Sequence, residues 1–182
     1  KDHHVITNFT PIDFIKYNYS KNIFNNKYYD KSNINILYLG TLGLSHEFDS
    51  FINTLNNYDC FNLNIVGEGL SKEKIINKIE AGIYKNTTIN DYTTNFNEII
   101  NYYLKTDFCL IILKDLNIFK TVIPSKLFEY SFFKKPILYF GPKNEASELI
   151  NKYKLGICAH DSIQLKNIFY SVKTNFDDSN LS

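Results

Sequence analysis

A chain of 182 residues is long enough for one domain that buries about 70% of the surface its extended form would expose. Its 44% hydrophobic and 21% charged residues are ordinary globular proportions, and a net charge of +1 excludes a dedicated nucleic-acid binder. Every basic residue is lysine, so bidentate arginine recognition of phosphates or bases is ruled out as well.

In chain order, residues 5–8 suit a short strand, but 17–33 show neither helical nor strand periodicity. Residues 1–33 therefore read as a lead-in or linker to a domain at 34–174, with a polar tail at 175–182. Residues 34–39 are the first strand, running into Gly40-Thr41-Leu42-Gly43 and a helix over about 47–58 that carries Phe48, Phe51, Ile52 and Leu55 on one face. That is the opening of a βαβ unit. Its glycines let backbone N–H groups approach a ligand, although a bare G-x-x-G also serves as a plain strand–helix turn. His46 is either a surface residue at a helix start or a polar contact to a ligand. A second strand at 61–66 closes on Gly67-Glu68-Gly69, and a helix over about 72–84 follows with Ile75, Ile76 and Ile79 inward. A short third strand at 87–90 leads to a helix at 95–104 carrying Phe96, Ile99, Ile100 and Tyr103. Residues 108–113 form the most apolar strand, suited to the centre of a parallel sheet covered on both faces.

After a loop at 114–123 comes the stretch from Pro124 to Gly141. Pro124 suits the first position of a helix and Ser125 is a natural capping side chain. Leu127, Phe128, Tyr130 and Phe132 make the helix largely apolar, and Lys134 and Lys135 close it where the macrodipole favours positive charge. Pro136 stops it before a buried strand at 137–140. Lys126 and Glu129 are three apart and share a face, which makes them either a simple surface pair or a phosphate-binding lysine with a diol-binding carboxylate behind it. Residues 144–153 are helical, 156–158 a strand and 163–174 a last helix. Glu145 and Glu148 suit a helix start equally as well as contact with a sugar.

Strand and helix alternate about six times, the pattern of an α/β, Rossmann-like, doubly wound parallel sheet. In the strand order 3-2-1-4-5-6 the crevice lies between the carboxyl ends of the first and fourth strands. The Gly40 loop and the start of the 124–135 helix are thereby expected to meet there. The cysteines Cys60, Cys109 and Cys158, odd in number and without Cys-x-x-Cys spacing, read as buried free thiols in a reducing compartment. His3, His4 and His160 have no metal-ligand spacing, and no Asp-x-Asp suggests a metal–diphosphate clamp. No apolar run approaches the roughly 18–20 residues of a membrane span, and no signal peptide is legible. A chain that begins at Lys1 and holds no methionine is expected to be a piece of a longer protein.

The segment Pro-Ser-Lys-Leu-Phe-Glu-Tyr at 124–130, followed by Lys-Lys-Pro-Ile-Leu at 134–138, resembles the Pro-Ser-Lys-x-(Tyr/Phe)-Glu-Tyr … Gly-Lys-Pro segment of retaining GT-B-type glycosyltransferases, family 4 and its relatives. Lys134 replaces the usual glycine, so the turn from helix to strand is expected to be made differently. Residues 38–43, 64–69 and 156–161 are similar to further segments of that family in the same order, and 5–14 to the passage between its two domains, with Phe9 in place of a glycine.

The resemblance implies the C-terminal, donor-binding half of a GT-B fold. It implies that Gly40, Thr41 and Gly43 face the diphosphate and sugar of a nucleotide-sugar donor, and that Gly67 and the backbone around Asn90 and Tyr92 line the base. Ser125 and Lys126 would hold phosphate and Glu129 the ribose hydroxyls. Many relatives use an Arg–Lys pair on the leaving diphosphate; here Lys126, helix N–H groups or Lys120 would have to serve. The implied function is hexose transfer from the nucleotide-sugar to a glycan or lipid-linked acceptor in bacterial surface polysaccharide assembly, without metal or other cofactor. The acceptor site and any general acid/base would belong to a missing N-terminal domain, so this piece alone would be inactive. The expected location is the cytoplasm, at the inner face of the membrane, with peripheral membrane contact through the missing part. Two alternatives stand beside it. One is a nucleotide-sugar 2-epimerase of the same architecture. The other is a non-catalytic Rossmann-like interaction module, which a Phe or Tyr filling the space between Gly43 and Lys126 would favour.

Overall fold

The structure, a computed structural model, describes residues 33–180, with side chains to 175; residues 1–32, including the expected short strand, Phe9 and His3-His4, lie outside the described residues. Six strands, β1 Ile34–Leu39, β2 Phe61–Val66, β3 Thr87–Asn90, β4 Phe108–Ile112, β5 Ile137–Phe140 and β6 Gly156–Ala159, form one sheet in the order β3-β2-β1-β4-β5-β6. All five neighbouring pairs are parallel. Helices α1 Phe48–Leu55, α2 Lys72–Glu80, α3 Phe96–Leu104, α4 Lys126–Phe132, α5 Glu145–Lys152 and α6 Ser162–Asn180 connect and follow the strands. The expected doubly wound α/β fold is the observed one.

The two faces of the sheet are read from the period-two alternation of the strands. Ile36, Tyr38, Leu63, Ile65, Leu110 and Ile112 point to one layer, where Phe51, Ile52 and Leu55 of α1 and Leu165 and Phe169 of α6 cover them. Leu37, Leu39, Val66, Cys109, Ile111 and Tyr139 point to the other, beneath Ile100 and Tyr103 of α3, Tyr130 of α4, Phe133 just after it and Ile150 of α5. Both faces are apolar because helices lie on both, as an all-parallel sheet requires.

Five local expectations change. Gly82, at φ +69°, follows the end of α2, so Tyr84 is buried outside the helix rather than in its last turn. Between Ser162 and Asn180 there is no glycine or proline to break the backbone, and α6 runs through the residues expected to be tail. Ser125 makes no side-chain cap, because it already has helical backbone angles, φ −56° and ψ −28°, whereas a capping side chain needs an extended residue. Lys134 does not make the turn differently: at φ +52° it adopts the left-handed conformation itself, in the place where the family carries glycine. Of the cysteines only Cys109 is fully buried, and burial pushes its thiol far up; Cys60 and Cys158 are half-buried, and the Cys158 thiol is raised to about 11 by the same cause. Among the described residues no helix is long and apolar enough to cross a membrane.

Candidate functional site

The sheet parts at its switch point. Strand β1 pairs with β2 along its whole length but with β4 only at Ile36–Phe108 and Leu37–Cys109. Leu39 is left without a β4 partner, and a side chain from α4 takes that role. The Tyr130 hydroxyl accepts a hydrogen bond from Leu39 N–H at 3.3 Å and lies 3.5 Å from the Leu39 carbonyl. Tyr130 is completely buried, so this docking fixes α4 against the end of β1. Lys126 lies one turn before Tyr130 on the same helix face, which brings it over the residue after Leu39.

That residue is Gly40, where the backbone conformation favours glycine. A Cβ built on Gly40 would meet three atoms of Lys126 before any other, with Nζ 2.5 Å away, and the backbone stands at φ +153°. The stem of Lys126 occupies that space. Lys126 is half-buried, and among the described residues its ammonium lies within 4.0 Å of no carboxylate. Burial lowers its pKa from the ordinary lysine value, while the nearby Glu129 charge acts the other way. A cation withdrawn from water with no carboxylate beside it is costly, and an incoming anion offsets that cost. The N–H groups of Thr41 and Gly43 make no hydrogen bond among the described residues, which adds two donors to the same loop.

Glu129, three residues on from Lys126, turns to a different partner. The Tyr103 hydroxyl of α3 donates to its Oε1 at 2.5 Å. Tyr103 is buried, stacked on Phe133 at 4.0 Å between ring centroids. Burial, then the neighbouring Tyr130 and Glu129, push its phenol well above the usual value, so it stays a donor. The simple surface pair of Lys126 with Glu129 is therefore not formed: the tyrosine holds the carboxylate and the lysine stays over the glycine.

The loop that carries Gly40 is held from behind. The Tyr38 hydroxyl donates to Thr41 O at 2.6 Å and meets His46 Nε2 at 3.0 Å. His46 Nδ1 donates to Gly43 O at 3.0 Å. His46 is thus neither a bare surface residue nor free for a ligand, since both ring nitrogens are engaged in shaping the loop. Burial lowers its pKa, the Gly43 carbonyl opposes this, and the charges of Lys126 and Lys114 add to the lowering.

The remaining expected site residues divide. Gly67 is buried beneath the loop, where a Cβ would land on Gly40 O, and its N–H donates to Asn90 O at 3.1 Å. It joins the ends of β2 and β3 beneath the loop. Asn90 donates through Nδ2 to Asn64 Oδ1 at 2.8 Å, and Tyr92 is half exposed on the following loop. Lys72 bridges that loop to the previous one by bonding both Asp91 and Glu68. Ser125 and Lys120 are exposed, and Glu145 and Glu148 lie exposed in the first turn of α5. The residue before them, Asn144, is buried: it caps α5 through Ser147 and donates to Phe119 O and Val122 O at 3.0 and 3.3 Å, so it ties down the loop into α4. Among the described residues no three His, Cys, Asp or Glu side chains are gathered to hold a metal ion.

Sequence reasoning missed three working residues, Tyr103, Tyr38 and Asn144. One signal for Tyr103 was present: a tyrosine on the inward stripe of a helix needs a partner for its hydroxyl.

No protein-family model matches the sequence, and no curated protein matches it. Solved structures do share the fold. The C-terminal domain of a glycosyl transferase group 1 family protein, LpcC, from Francisella tularensis is similar at TM-score 0.56 and 17% identity, over 81% of this chain and 77% of that one. HepE from Anabaena, in complex with UDP-glucose, is similar at TM-score 0.59 and 13% identity, over 92% of this chain and 44% of that one. WaaG, a glycosyltransferase involved in lipopolysaccharide biosynthesis, is similar at TM-score 0.60 and 14% identity, over 90% of this chain and 41% of that one. The chain thus spans less than half the length of HepE and WaaG.

Proposed function

We propose that this chain, whose fold is that of the C-terminal domains of GT-B glycosyltransferases, is the donor-binding part of a transferase that uses a nucleotide-diphosphate sugar. The observation that carries the reading is the half-buried ammonium of Lys126, with no carboxylate within 4.0 Å among the described residues, laid over Gly40 at the switch point of the sheet. In this reading the diphosphate sits against Lys126 and the N–H groups of Thr41 and Gly43. Glu129 accepts the ribose hydroxyls, Tyr92 and the Asn90 backbone flank the base, and Ser125 borders the phosphate. As the sugar leaves, Lys126 stabilises the charge that develops on the diphosphate, which is worth most in a site that excludes water. That HepE binds UDP-glucose and WaaG acts in lipopolysaccharide biosynthesis supports a hexose donor and a surface-polysaccharide acceptor, glycan or lipid-linked. The acceptor-binding part and the acid/base groups are supplied by the rest of a longer protein, without a metal. The epimerase alternative is separated by product analysis of that longer protein with UDP-N-acetylglucosamine alone. The direct test is isothermal titration of the chain with UDP, GDP and dTDP. One of the three is expected to bind; absence of binding by all three at millimolar concentration sinks the reading.

A further inference from the structure

We propose that Tyr103 is a positioning residue for the Glu129 carboxylate and, through it, sets how strongly the site distinguishes a ribose from a sugar lacking the diol. The inference rests on the donor-binding reading above and goes beyond it, since Tyr103 touches no ligand in that reading.

Glu129 stands between two possible partners. Lys126 is its neighbour three residues back on the same helix, the spacing at which opposite charges ordinarily pair. Yet the carboxylate takes the Tyr103 hydroxyl at 2.5 Å, and no pairing with Lys126 is made among the described residues. The tyrosine can impose this because it cannot move. Its ring is buried, stacked on Phe133 at 16° between planes and edge-on to Tyr130 at 6.1 Å. Both of those rings belong to the 126–133 segment that carries Glu129. Donor and acceptor are therefore clamped to one another by packing on the same short helix.

Two consequences follow. One carboxylate oxygen is committed to the phenol, while Oε2 has no partner among the described residues and is left to accept from a diol. The carboxylate is also kept from swinging onto Lys126, where it would neutralise the cation that faces the diphosphate. A bound anion and a bound diol thus depend on one hydroxyl that touches neither.

The test uses the full chain, with Tyr103→Phe, which keeps the stacking ring and removes only the hydroxyl. Affinities for UDP and for 2′,3′-dideoxy-UDP are measured by titration, and the same pair is run with GDP. Wild type is expected to favour the ribo form by about tenfold or more, from loss of a hydrogen bond to a charged acceptor. In Tyr103→Phe the ratio is expected to fall at least threefold. If both affinities fall together and the ratio holds, Tyr103 is only a packing residue and the proposal is overturned. If wild type binds a ribo form yet shows no preference for it, Glu129 does not meet the ribose and the proposal is overturned while nucleotide binding stands. If wild type binds dTDP alone, whose sugar has no diol, the proposal is overturned while nucleotide binding stands; if it binds none of UDP, GDP and dTDP, the donor-binding reading itself fails, and this proposal with it.

A second measurement does not depend on whether Tyr103→Phe folds. The short hydroxyl–carboxylate bond should give a far-downfield phenolic proton in the NMR spectrum of wild type, displaced in Glu129→Gln. It is expected to shift on addition of UDP and to shift less with the dideoxy form. Equal shifts with both ligands overturn the proposal.

Discussion

Two clusters in this protein combine the same three groups, a carboxylate, an ammonium and a phenol, and do opposite things. At the start of α1, Asp49 is bonded by Lys74 at 2.9 Å and by both Lys78 and Tyr84. Burial works against its ionisation, but the hydrogen bonds from Lys78, Tyr84 and Lys74 prevail and hold its carboxyl far below the usual range. Every charge there has met its opposite. At the switch point, Glu129, Lys126 and Tyr103 offer the same chemistry, yet the tyrosine takes the carboxylate and the lysine is stranded over Gly40. A closed cluster supports the fold; an open one leaves charge for a ligand. The distinction lies in who is paired with whom, and composition does not carry it.

The largest effect should come from closing the open cluster physically. Gly40→Ala puts a methyl group where the Lys126 stem lies and strains a backbone at φ +153°. Nucleotide-diphosphate affinity should fall by about 100-fold or more, and stability by about 1–3 kcal/mol, read by titration and urea unfolding. A normally binding Gly40→Ala variant would move the site elsewhere.

Next come the two charges. Lys126→Ala should weaken diphosphate binding by about 10- to 100-fold while sparing the matching nucleoside, since it acts on phosphate. Glu129→Gln should weaken both by a similar factor. Without ligand, Lys126→Ala should be as stable as wild type or more so, because it removes a cation with no carboxylate at hand. Its pH dependence sharpens this. The folded pKa of Lys126 is lowered, so between that value and the unfolded value of about 10.4 the unfolded chain binds the extra proton. Stability owed to this residue therefore rises with pH through that window, and the advantage of Lys126→Ala at about pH 7 should shrink toward about pH 10. A constant advantage across that range would mean the ammonium is well solvated.

The closed cluster should respond in the opposite sense. Lys78→Ala should leave nucleotide affinity unchanged and cost roughly 0.5–1 kcal/mol, the scale of a partly exposed ion pair. Asp49 has a depressed folded pKa, so its contribution is present above the unfolded value near 3.9 and is lost as pH falls. Asp49→Asn should accordingly lose stability less steeply than wild type between about pH 4 and about pH 2. Equal acid slopes for the two proteins would show that the cluster is not closed in solution.

The smallest change lies at the far end of the helix that carries the open cluster. Lys134→Gly relieves a left-handed lysine and should stabilise by about 0.5–1 kcal/mol without touching affinity. A change in binding there would show that the turn after α4, and not the helix alone, governs the site.

Much of this was legible in one dimension. The six strands declared themselves as short apolar runs closed by glycine or polar residues, and their alternation with amphipathic helices leaves little choice but a parallel sheet covered on both faces. The strand order then places the loop at Gly40 and the helix start at Lys126 on one crevice, so Lys126 and Glu129 could be singled out from spacing and order alone. Those inferences rest on local periodicity and topology, which a sequence states directly. Side-chain pairing is different, because it joins residues far apart in the chain. Tyr103 and Glu129 are 26 residues apart, Leu39 and Tyr130 are 91, and Asn144 reaches back 25 to Phe119. Whether Lys126 would pair with Glu129 or stand alone, whether His46 would face solvent or brace its loop, and whether Lys134 could imitate a glycine were each decided by packing between elements. A short sequence motif names the groups; the tertiary structure decides which of them are already satisfied and which are left for a ligand.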